Sequence, residues 1–516
     1  MALLEARQRA GLDEEALPIR PVGCLRLCGR GPLVACDGAH GGRLYGHLSA
    51  EQAGALLESV RSGAAEAAAD PLAAQRIPLD DPFFALQQPV VLESCGLLDP
   101  GSIDDALAHG AYGQLRRCLE ELTPAEVREQ IKRSGLRGRG GGGYPTGLKW
   151  DTVALQPPGK RYVVCNADEG DPGAFMDRSV LEGDPHRLIE GMAIAAFAVG
   201  AEEGYVYVRA EYPLAIERLR LALQQARRRG LLGRAVAGSG RDLSIEVRVG
   251  AGAYVCGEET ALLASIQGQR GTPRTRPPYP AQSGLWGAPT LINNVETFAA
   301  VPAILRNGGA WYAAMGTEHS KGTKVFALSG AVGNTGLVEV PMGTSLRTVV
   351  EVMGGGVPGG AVKAVQTGGP SGGCVPASHL DTPLEYESLR ELGSMMGSGG
   401  MVVMGETTSM PEVARHFMRF SVNESCGKCL PCRAGTVQLA QLLDRFVERR
   451  EELADLERLE ELCRMVGATS LCGLGQAAPN PVLSTLRYFR QEYQAACRQP
   501  AQCEPLEACL LQEVNR

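Results

Sequence analysis

The chain has 516 residues, 44% of them hydrophobic, and a mean hydropathy of −0.08, which together are typical of a soluble protein with two to four domains. The formal net charge of −7, without a long basic stretch, excludes a typical nucleic-acid-binding protein. No apolar run reaches the roughly 18 residues that a membrane-spanning helix needs, and the first residues lack the order of a secretory leader.

The N-terminal stretch, residues 1–60, predicts a short α/β unit. We expect a helix over Leu3–Leu17, followed by a cysteine-bearing turn at Cys24–Cys28 that enters a strand. The pair Ser49–Gln52 has the spacing of a helix capping box. Residues 61–95 are rich in Ala, Asp and Pro, which predicts a linker that runs over the surface.

Residues 96–325 alternate between strand-like and helix-like stretches. This alternation predicts a mostly parallel sheet covered by helices. The expected strands and helices, in chain order, are residues 161–165 (strand), 188–198 (helix), 204–209 (strand), 213–229 (helix) and 243–249 (strand).

The last third of the chain changes character twice. Residues 326–400 hold short β-like runs, one helical stretch and many glycines, which favours a small β-grasp-like module. From about Met410 the pattern becomes helical, with helices expected over 410–420, 436–463 and 482–497. We therefore expect a helical domain over residues 401–490 and a tail over residues 491–516.

Four cysteines of the helical region carry the most specific signal in the chain. Cys426, Cys429 and Cys432 follow C-x2-C-x2-C spacing, and Cys472 lies further along. Three thiolates on one loop plus one distant thiolate are typical ligands of a 4Fe–4S cluster. A zinc-binding interaction module is the alternative, but zinc sites usually show separated cysteine pairs.

A glycine-rich loop over residues 135–150 is the second strong feature. Six of the nine residues from Gly135 to Gly143 are glycine, so successive backbone N–H groups can face a phosphate. Lys149 can add a positive charge there. A flexible linker is the alternative, although the arginines, the lysine and Trp150 are not typical of linkers. The spacing matches neither a P-loop nor the usual dinucleotide fingerprint.

An acidic loop follows the first predicted strand, at the edge where parallel sheets bind ligands. Asn166 can read the edge of a heterocycle, and Asp168, Glu169 and Asp171 bring three carboxylates together. Taken alone, such a loop is more often simply solvated.

Two further segments are weaker signals. Residues 250–260 follow the third strand and open a helix, whose N-terminus can attract phosphate. Glu258 and Glu259 there can equally serve the helix dipole. The second segment contains Asn293 and Asn294, a pair of neighbouring amide side chains.

Together these segments and the cysteine loop closely resemble the FMN- and NADH-binding flavoprotein subunit of respiratory complex I. The same module occurs in NAD-linked hydrogenases and formate dehydrogenases. The resemblance covers roughly residues 90–490. It implies a multidomain α/β and α protein, with a Rossmann-like FMN domain over 96–325, a β-grasp (ubiquitin-like) module over 326–400 and a helical 4Fe–4S domain over 401–490.

The resemblance also implies roles for individual residues. Two positions differ conservatively from the family pattern: Tyr144 replaces Phe and Asp171 replaces Glu. The implied FMN contacts are Gly138, Gly140, Lys149, Asn166, Asp168, Gly257, Asn293 and Asn294. Glu169 and Glu258 are expected as further cofactor-binding residues. The implied NAD(H) contacts are Tyr144, Asp171, Glu259, Arg276 and Tyr279. The implied cluster ligands are Cys426, Cys429, Cys432 and Cys472, and no side chain is expected to act as acid or base.

The N-terminal stretch makes the resemblance more specific within this family. Residues 22–34 look like the second half of a thioredoxin-like 2Fe–2S domain, as in the diaphorase flavoprotein (alpha) subunit of bidirectional NAD-reducing nickel–iron hydrogenases. That implies a cytoplasmic protein whose partners are a small 2Fe–2S diaphorase subunit and hydrogenase subunits. Alternatives are the same module in an NAD-dependent formate dehydrogenase or in complex I, and a non-enzymatic electron-relay or assembly subunit.

A 2Fe–2S cluster needs four ligands, and only Cys24 and Cys28 match. Either this cluster is absent or the natural start lies upstream, with Cys36 as a less favoured substitute ligand. Tail cysteines Cys497, Cys503 and Cys509 are expected to bind no metal. The remaining cysteines are expected to be packed thiols: Cys95, Cys118, Cys165, Cys256, Cys374 and Cys463.

Overall fold

The computed structural model describes residues 1–37, 42–62, 70–450 and 452–497. These residues form four units, three with a sheet and one built from helices. No helix among them has the length and apolar character needed to cross a bilayer. Part of the predicted linker and most of the predicted tail, including Cys503 and Cys509, lie outside the described residues.

The N-terminal unit is a small sheet with short helices. Its elements are α1 Ala2–Arg9, β1 Val34–Cys36, β2 Arg43–Tyr45, α2 Ala53–Arg61, β3 Arg76–Ile77 and α3 Pro82–Ala85. The strands pair antiparallel in the order β1–β2–β3. The predicted capping box of Ser49 and Gln52 is present in the turn that leads into α2.

The first helix is shorter than the sequence predicts. It ends at Arg9 rather than Leu17, because Gly11 turns the chain with a φ of 67°. The chain then continues through irregular structure to the cysteine-bearing turn.

The linker prediction is corrected for the described residues that precede the central unit. Strand β3 extends the N-terminal sheet, and Val90, Val91 and Leu92 are buried rather than on the surface. The carboxylate of Glu339 accepts hydrogen bonds of 2.9 Å from the backbone N–H groups of Val91 and Leu92. The apolar Val-Val-Leu run therefore anchors this segment in the core. The Ala and Pro content of the segment had led to the prediction of a surface linker instead.

The central unit is a four-stranded parallel sheet covered by helices on both faces. Its elements are α4 Ile103–Ala108, α5 Gly113–Glu121, α6 Pro124–Arg133, α7 Thr146–Ala154, β4 Tyr162–Ala167, α8 Met176–Gly183, α9 Pro185–Val199, β5 Glu203–Arg209, α10 Pro213–Arg228, β6 Ser244–Gly250, α11 Glu259–Ile266, β7 Thr290–Asn294, α12 Val295–Asn307 and α13 Gly309–Ala313. The strand order is β6–β5–β4–β7, and every pair is parallel. The predicted alternation of strands and helices is confirmed.

Helix α9 forms the centre of this unit, and all of its residues are buried. Asp184 caps its start by accepting a hydrogen bond from the Arg187 backbone N–H, and Gly200 ends it in the left-handed conformation. Gly191 allows close packing, because a Cβ there would collide with the backbone of Phe298 in α12. The helix pair α9–α12 thus supports the sheet from one side.

The five-stranded unit follows. Its elements are β8 Thr323–Gly330, β9 Gly336–Pro341, β10 Val362–Thr367, β11 Gly373–Pro376, α14 Tyr386–Glu391 and β12 Gly400–Gly405. The strand order is β9–β8–β12–β10–β11, in which the pair formed by β8 and the central strand β12 is parallel and the other three pairs are antiparallel. A buried ion pair between Lys324 of β8 and Glu296 of α12 joins this unit to the central one.

The helical unit completes the described chain. Its elements are α15 Met410–Glu424, α16 Thr436–Val447, α17 Ala454–Thr469, α18 Gly473–Ala477 and α19 Asn480–Ala496. The single helix predicted over residues 436–463 is two helices, and Arg449 between them has a φ of 57°. That left-handed residue reverses the chain, so α17 packs back on α16 around Leu443 and Leu459.

Candidate functional site

A cavity of about 440 Å³ opens at the carboxyl-terminal edge of the central sheet. Strands β4 and β7 end at it, and the loop after β6 forms another wall. This is the edge at which parallel α/β sheets bind ligands. All of the predicted cofactor-binding residues except Tyr279 line the cavity: Gly138, Gly140, Tyr144, Lys149, Asn166, Asp168, Glu169, Asp171, Gly257, Glu258, Glu259, Arg276, Asn293 and Asn294.

The glycine-rich loop lies between α6 and α7 and is held in place by side chains. Tyr386 Oη donates a hydrogen bond of 2.9 Å to the Gly138 carbonyl, and Arg137 Nε donates one of 2.7 Å to the Gly143 carbonyl. Gly141 and Gly143 have φ values of 116° and 61°, which favour glycine. The loop is therefore a fixed wall of the cavity rather than a free linker.

A row of alternating charges borders the glycine loop. Lys149 Nζ lies 3.7 Å from the carboxylate of Glu259 and donates to the Ile292 carbonyl at 3.2 Å. Arg276 Nη1 donates to the other oxygen of Glu259 at 2.8 Å. Two cations share the Glu259 carboxylate here, close to the backbone N–H groups of the glycine loop, and the charge of Glu258 also acts on Arg276. That combination suits an anionic ligand such as a phosphate.

Two carboxylates of the acidic loop are already engaged by the protein. Glu169 accepts hydrogen bonds of 3.0 Å from two backbone N–H groups in the first turn of α8. Asp171 accepts hydrogen bonds from Tyr254 Oη at 2.8 Å and from Ser398 Oγ at 2.6 Å. Burial raises the pKa of both carboxyl groups, and these donors oppose that shift. Both groups fix the shape of the loop.

Asp168 has an oxygen left for a ligand. Its side chain is 2% exposed, and Oδ2 has no hydrogen-bond partner in the part of the chain that the structure describes. Burial, opposed by Arg209 at 4.0 Å, raises the pKa of Asp168 to about 7. A buried oxygen of this kind fits a ligand with N–H or O–H donors, and FMN offers both on its ring and its ribityl chain.

Asn166 connects two walls of the cavity. Its Nδ2 donates to the Gly257 carbonyl at 2.8 Å, and its Oδ1 accepts from the Asp168 backbone N–H at 3.1 Å. Glu258 caps α11 by accepting hydrogen bonds from the first backbone N–H groups of that helix. Glu258 thus caps this helix and also lines the cavity.

The amide pair at the end of β7 is anchored on both sides. Asn293 Oδ1 accepts a hydrogen bond of 2.9 Å from the indole Nε1 of Trp150. Asn294 Oδ1 caps α12 by accepting from the backbone N–H of Glu296 at 2.8 Å. A Cβ on Gly140 would lie 3.0 Å from Cβ of Asn294, so the glycine lets the loop approach this strand end.

The two predicted aromatic contacts lie at different distances from the cavity. Tyr144 lines it with a half-exposed ring. Tyr279 is 52% exposed and does not line it, but the Arg276 guanidinium lies 5.8 Å from the centre of its ring. Tyr279 therefore stands at the rim of the site, next to a residue that does line it.

A second, narrow pocket brings all four predicted cluster cysteines together: Cys426, Cys429, Cys432 and Cys472. Gly427 turns the loop between α15 and α16 with a φ of 76°. Ser425 Oγ lies 3.2 Å from the sulfur of Cys432. Within the described residues, no three His, Cys, Asp or Glu side chains are grouped to hold a single metal ion. Four thiols without nitrogen or carboxylate ligands match the donor set of a 4Fe–4S cluster.

The two pockets are neighbours. Val255, in the loop after β6, and Leu474, at the start of α18, line both of them. Gly473 adds to the wall of the larger cavity. A ligand in the cavity and a group held by the four thiols would thus be separated by single side chains.

Sequence reasoning missed several residues of the site. Asp177, Tyr254, Ser371, Ser398 and Leu474 all line the cavity. Tyr254 lies in a segment that the sequence did single out, so its proximity could have been found there. The two serines come from loops of the five-stranded unit, and nothing local in the sequence indicates that these loops reach the sheet edge.

The N-terminal cysteines are arranged differently from the cluster cysteines. The thiol of Cys28 donates a hydrogen bond to the sulfur of Cys24, and this bond lowers the pKa of Cys24 to about 6. Cys36 packs against a separate apolar cluster with Tyr45 and Leu56, which does not favour it as a ligand beside Cys24. The cysteines that were predicted to be packed thiols are all buried: Cys95, Cys118, Cys165, Cys256, Cys374 and Cys463.

Comparison with protein families gives two matches that coincide with the two pockets. Residues 131–303 match the Nuo51 FMN-binding domain, and residues 412–496 match the iron–sulfur binding region of NADH-ubiquinone oxidoreductase-F. The first range holds most of the cavity and the second holds all four thiols of the narrow pocket.

Curated relatives agree with this pattern. The chain is 56% identical over 407 residues to the HndC subunit of the NADP-reducing hydrogenase of Solidesulfovibrio fructosivorans, covering 79% of this chain and 83% of the relative. It is 46% identical over 409 residues to the F 2 subunit of the NADH-quinone oxidoreductase of Rhizobium meliloti (strain 1021). This match covers 79% of this chain and 97% of the relative.

Solved structures give the same result. The chain resembles NAD+-reducing NiFe-hydrogenase in the H2-reduced state with a TM-score of 0.71 and 35% identity, covering 92% of this chain and 78% of that one. For the air-oxidised state the TM-score is 0.70 and the identity is 32%. That match covers 97% of this chain and 83% of the chain in the solved structure. The chain therefore belongs to the FMN- and iron–sulfur-binding flavoprotein family that contains the F subunits of NADH-quinone oxidoreductases and the hydrogenase protein HndC.

Proposed function

We propose that the chain is the diaphorase subunit of an NAD-reducing hydrogenase and passes electrons between NAD(H) and a 4Fe–4S cluster through FMN. The observation that carries the proposal is the pair of adjoining pockets, which share Val255 and Leu474 as walls. When bound, FMN can take up hydride as two electrons and release the electrons singly to an iron–sulfur cluster. The chain's own task is to bind the cofactors, to orient them and to exclude water from the site.

On the flavin side, the backbone of the glycine loop and Lys149 would hold the phosphate. Asp168 Oδ2, buried and free to accept, would take a hydrogen bond from the flavin, and the amides of Asn166 and Asn294 would border the ring. Lys149, Asn166 and Asn294 are already fixed by hydrogen bonds within the protein, so little reorganisation of these side chains is needed on binding.

On the nicotinamide side, Tyr144 and Tyr279 would stack on the adenine part of NAD(H). Glu259, held by Lys149 and Arg276, would orient the nicotinamide carboxamide. Asp171 would keep the acidic loop in shape through Tyr254 and Ser398, close to the ribose. Hydride transfer to a flavin needs no proton transfer by a side chain, so none of these residues is assigned as an acid or base.

The coenzyme itself needs a direct test, because the relative HndC is named for NADP whereas the solved structures are named for NAD+. We propose NAD(H) for this chain. Flavin bleaching by NADH and by NADPH, measured separately under anaerobic conditions, tests the choice. Faster bleaching by NADH supports it, and faster bleaching by NADPH overturns it.

The modules also have proposed folds. The order β9–β8–β12–β10–β11 with the parallel pair β8–β12 supports a β-grasp assignment for residues 323–405, slightly longer than the predicted 326–400. The antiparallel strands β1 and β2 followed by α2 support a partial thioredoxin-like unit at the N-terminus. A 2Fe–2S cluster is not part of the proposal.

The relatives, which are subunits of larger assemblies by their names, support a proposal about partners. We propose a small 2Fe–2S diaphorase subunit and hydrogenase subunits, in the cytoplasm, where reducing conditions suit a cysteine-rich chain. The test is to isolate the native complex through this chain without oxygen, assay hydrogen- and formate-dependent coenzyme reduction, and measure its metals. Hydrogen-dependent reduction with nickel supports the proposal. Formate-dependent reduction with molybdenum or tungsten favours formate dehydrogenase, and neither activity favours complex I.

A further inference from the structure

A buried carboxyl outside the expected set faces the cavity. Asp177 lies in the first turn of α8, is 3% exposed and lines the cavity. Its Oδ2 accepts a hydrogen bond from Asn294 Nδ2, whereas its Oδ1 has no hydrogen-bond partner among the described residues. A buried polar oxygen without a partner costs free energy unless a ligand supplies one.

The hydrogen bonds around Asp177 determine which atoms can carry a proton. Asn294 Oδ1 accepts from the Glu296 backbone N–H, so its amide nitrogen must face Asp177 as a donor. Asp177 Oδ2 is therefore an acceptor. If the Asp177 carboxyl holds a proton, the proton is on Oδ1, the oxygen without a partner in a residue that lines the cavity.

The charges around Asp177 favour that proton. Glu169 from the acidic loop and Glu296 from α12 both face it, and the positive charge of Lys324 of β8 acts in the opposite direction. Two further cations lie near these partners, Arg139 near Glu296 and Arg178 near Glu169. Lys324 pairs directly with Glu296. The neutral side chains of Cys165 and Tyr212 also lie near. Three buried carboxyl groups this close together cannot all be ionised at low cost.

Among the three carboxyls, Asp177 is the one with the fewest donors. Glu296 has Lys324 and the backbone N–H of Val325. Both oxygens of Glu169 accept from backbone N–H groups, and Oε2 also accepts from Tyr212 Oη at 3.2 Å. Burial, followed by the charges of Glu169 and Glu296, raises the pKa of Asp177 well above its usual range.

We propose that Asp177 is a neutral carboxylic acid whose Oδ1–H donates a hydrogen bond to an acceptor atom of the flavin in this cavity. The proposal rests on the proposed function in one respect, namely that FMN occupies the cavity. The proton keeps a negative charge away from the phosphate and the ring carbonyl groups of FMN, and it supplies a directed donor. Asp177 is thus a flavin-binding residue that complements Asp168, which accepts.

Two variants separate the proton from the shape of the side chain. Asp177→Asn keeps the shape and a neutral donor, since its Oδ1 can accept from Asn294 while its Nδ2 faces the cavity. Asp177→Ala removes the donor. We expect Asp177→Asn to bind FMN within about threefold of the wild type at about pH 6, and Asp177→Ala to bind roughly tenfold more weakly. As the pH rises and Asp177 ionises, wild-type affinity should fall relative to Asp177→Asn.

An infrared spectrum of the flavin-free protein gives a readout that does not depend on FMN. The wild type should show the C=O stretch of a protonated carboxylic acid at neutral pH, shifted in D2O, and the difference spectrum against Asp177→Asn should contain that band. This measurement and the Asp177→Asn titration remain informative if Asp177→Ala does not fold.

The outcomes distinguish this proposal from the proposed function. Failure of the wild-type chain to bind FMN at any pH would overturn both. If the wild type binds FMN, but the infrared band is absent or Asp177→Asn binds at least tenfold more weakly at about pH 6, only the assignment of Asp177 as a neutral donor is overturned.

Discussion

At the scale of single residues, buried carboxyl groups determine how the cavity responds to pH. Asp168 and Asp177 each keep one oxygen without a partner in the described chain, whereas Glu169 and Asp171 are held by protein donors. The sequence predicted that carboxylates gather here but could not say which of them are engaged, because Tyr254 and Ser398 come from distant segments.

Asp168 should make the stability of the flavin-free protein depend on pH. Its pKa is about 7 when folded and about 3.9 when unfolded, so its contribution is fully present below about pH 4 and is lost as the pH rises through about 7. Asp168→Asn should match the wild type near pH 4 and exceed its unfolding free energy by on the order of a few kcal/mol near pH 8.

Urea unfolding of both proteins across this pH range tests the prediction. Asp80→Asn, which changes an exposed carboxyl far from the cavity, is the control and should follow the wild type. Parallel pH curves for Asp168→Asn and the wild type would show that Asp168 does not hold its proton in the folded state.

Glu259→Gln should slow oxidation of NADH while FMN stays bound. The change removes the negative charge that pairs with Lys149 and Arg276 and weakens hydrogen bonds to charged groups, so we expect kcat/KM to fall roughly ten- to 100-fold. The ratio of FMN to protein, measured by absorbance, should be unchanged. Wild-type kinetics would remove Glu259 from the coenzyme site.

At the scale of elements, the glycine loop owes its shape to the five-stranded unit as much as to its own glycines. Tyr386 of α14 packs against Gly143 and donates to the Gly138 carbonyl. The strands, most helices and the cysteine loop could be predicted from periodicity and spacing. The support given by α14 could not, because it joins residues almost 250 positions apart in the chain.

Tyr386→Phe should weaken FMN binding without loss of fold. It removes the hydrogen bond of 2.9 Å to the Gly138 carbonyl and the longer one of 3.4 Å that Tyr386 Oη accepts from Arg139 Nη1. The shorter bond alone is worth about 0.5–1.5 kcal/mol, so the dissociation constant should rise at least roughly two- to tenfold. Tyr488→Phe is the matched control, because Tyr488 donates a similar bond to the Leu392 carbonyl away from the loop. Equal FMN affinities in the two variants would argue against support of the loop by Tyr386.

Cys426→Ser should abolish the 4Fe–4S cluster but leave reduction of bound flavin by NADH intact, since the flavin and thiol pockets are separate spaces. Iron content and visible absorbance should drop, while flavin bleaching persists. Cys463→Ala, which removes a buried thiol outside the pocket, should keep its iron. Loss of flavin reduction in folded Cys426→Ser protein would contradict the division into two pockets.

At the scale of the whole molecule, the site exists only because three units meet at one sheet edge. The central unit provides most of the cavity, the five-stranded unit adds Ser371 and Ser398, and the helical unit adds Leu474 and the thiols. The sequence predicted the parallel sheet and the helices that cover it. It could not predict the meeting point of the three units, because that depends on packing such as the buried Lys324–Glu296 pair.

The most direct measurement is electron exchange within this chain alone, loaded with FMN and its cluster and studied without oxygen. NADH should bleach the flavin, and the electron paramagnetic resonance signal of the reduced cluster should follow. If the reduction potential of the cluster is too low for NADH to reduce it, electrons should still pass in the other direction. Chemically reduced protein should then form NADH from NAD+. Exchange in at least one direction is the predicted result. A flavin that NADH reduces but that never exchanges electrons with the cluster, in either direction, would contradict the account.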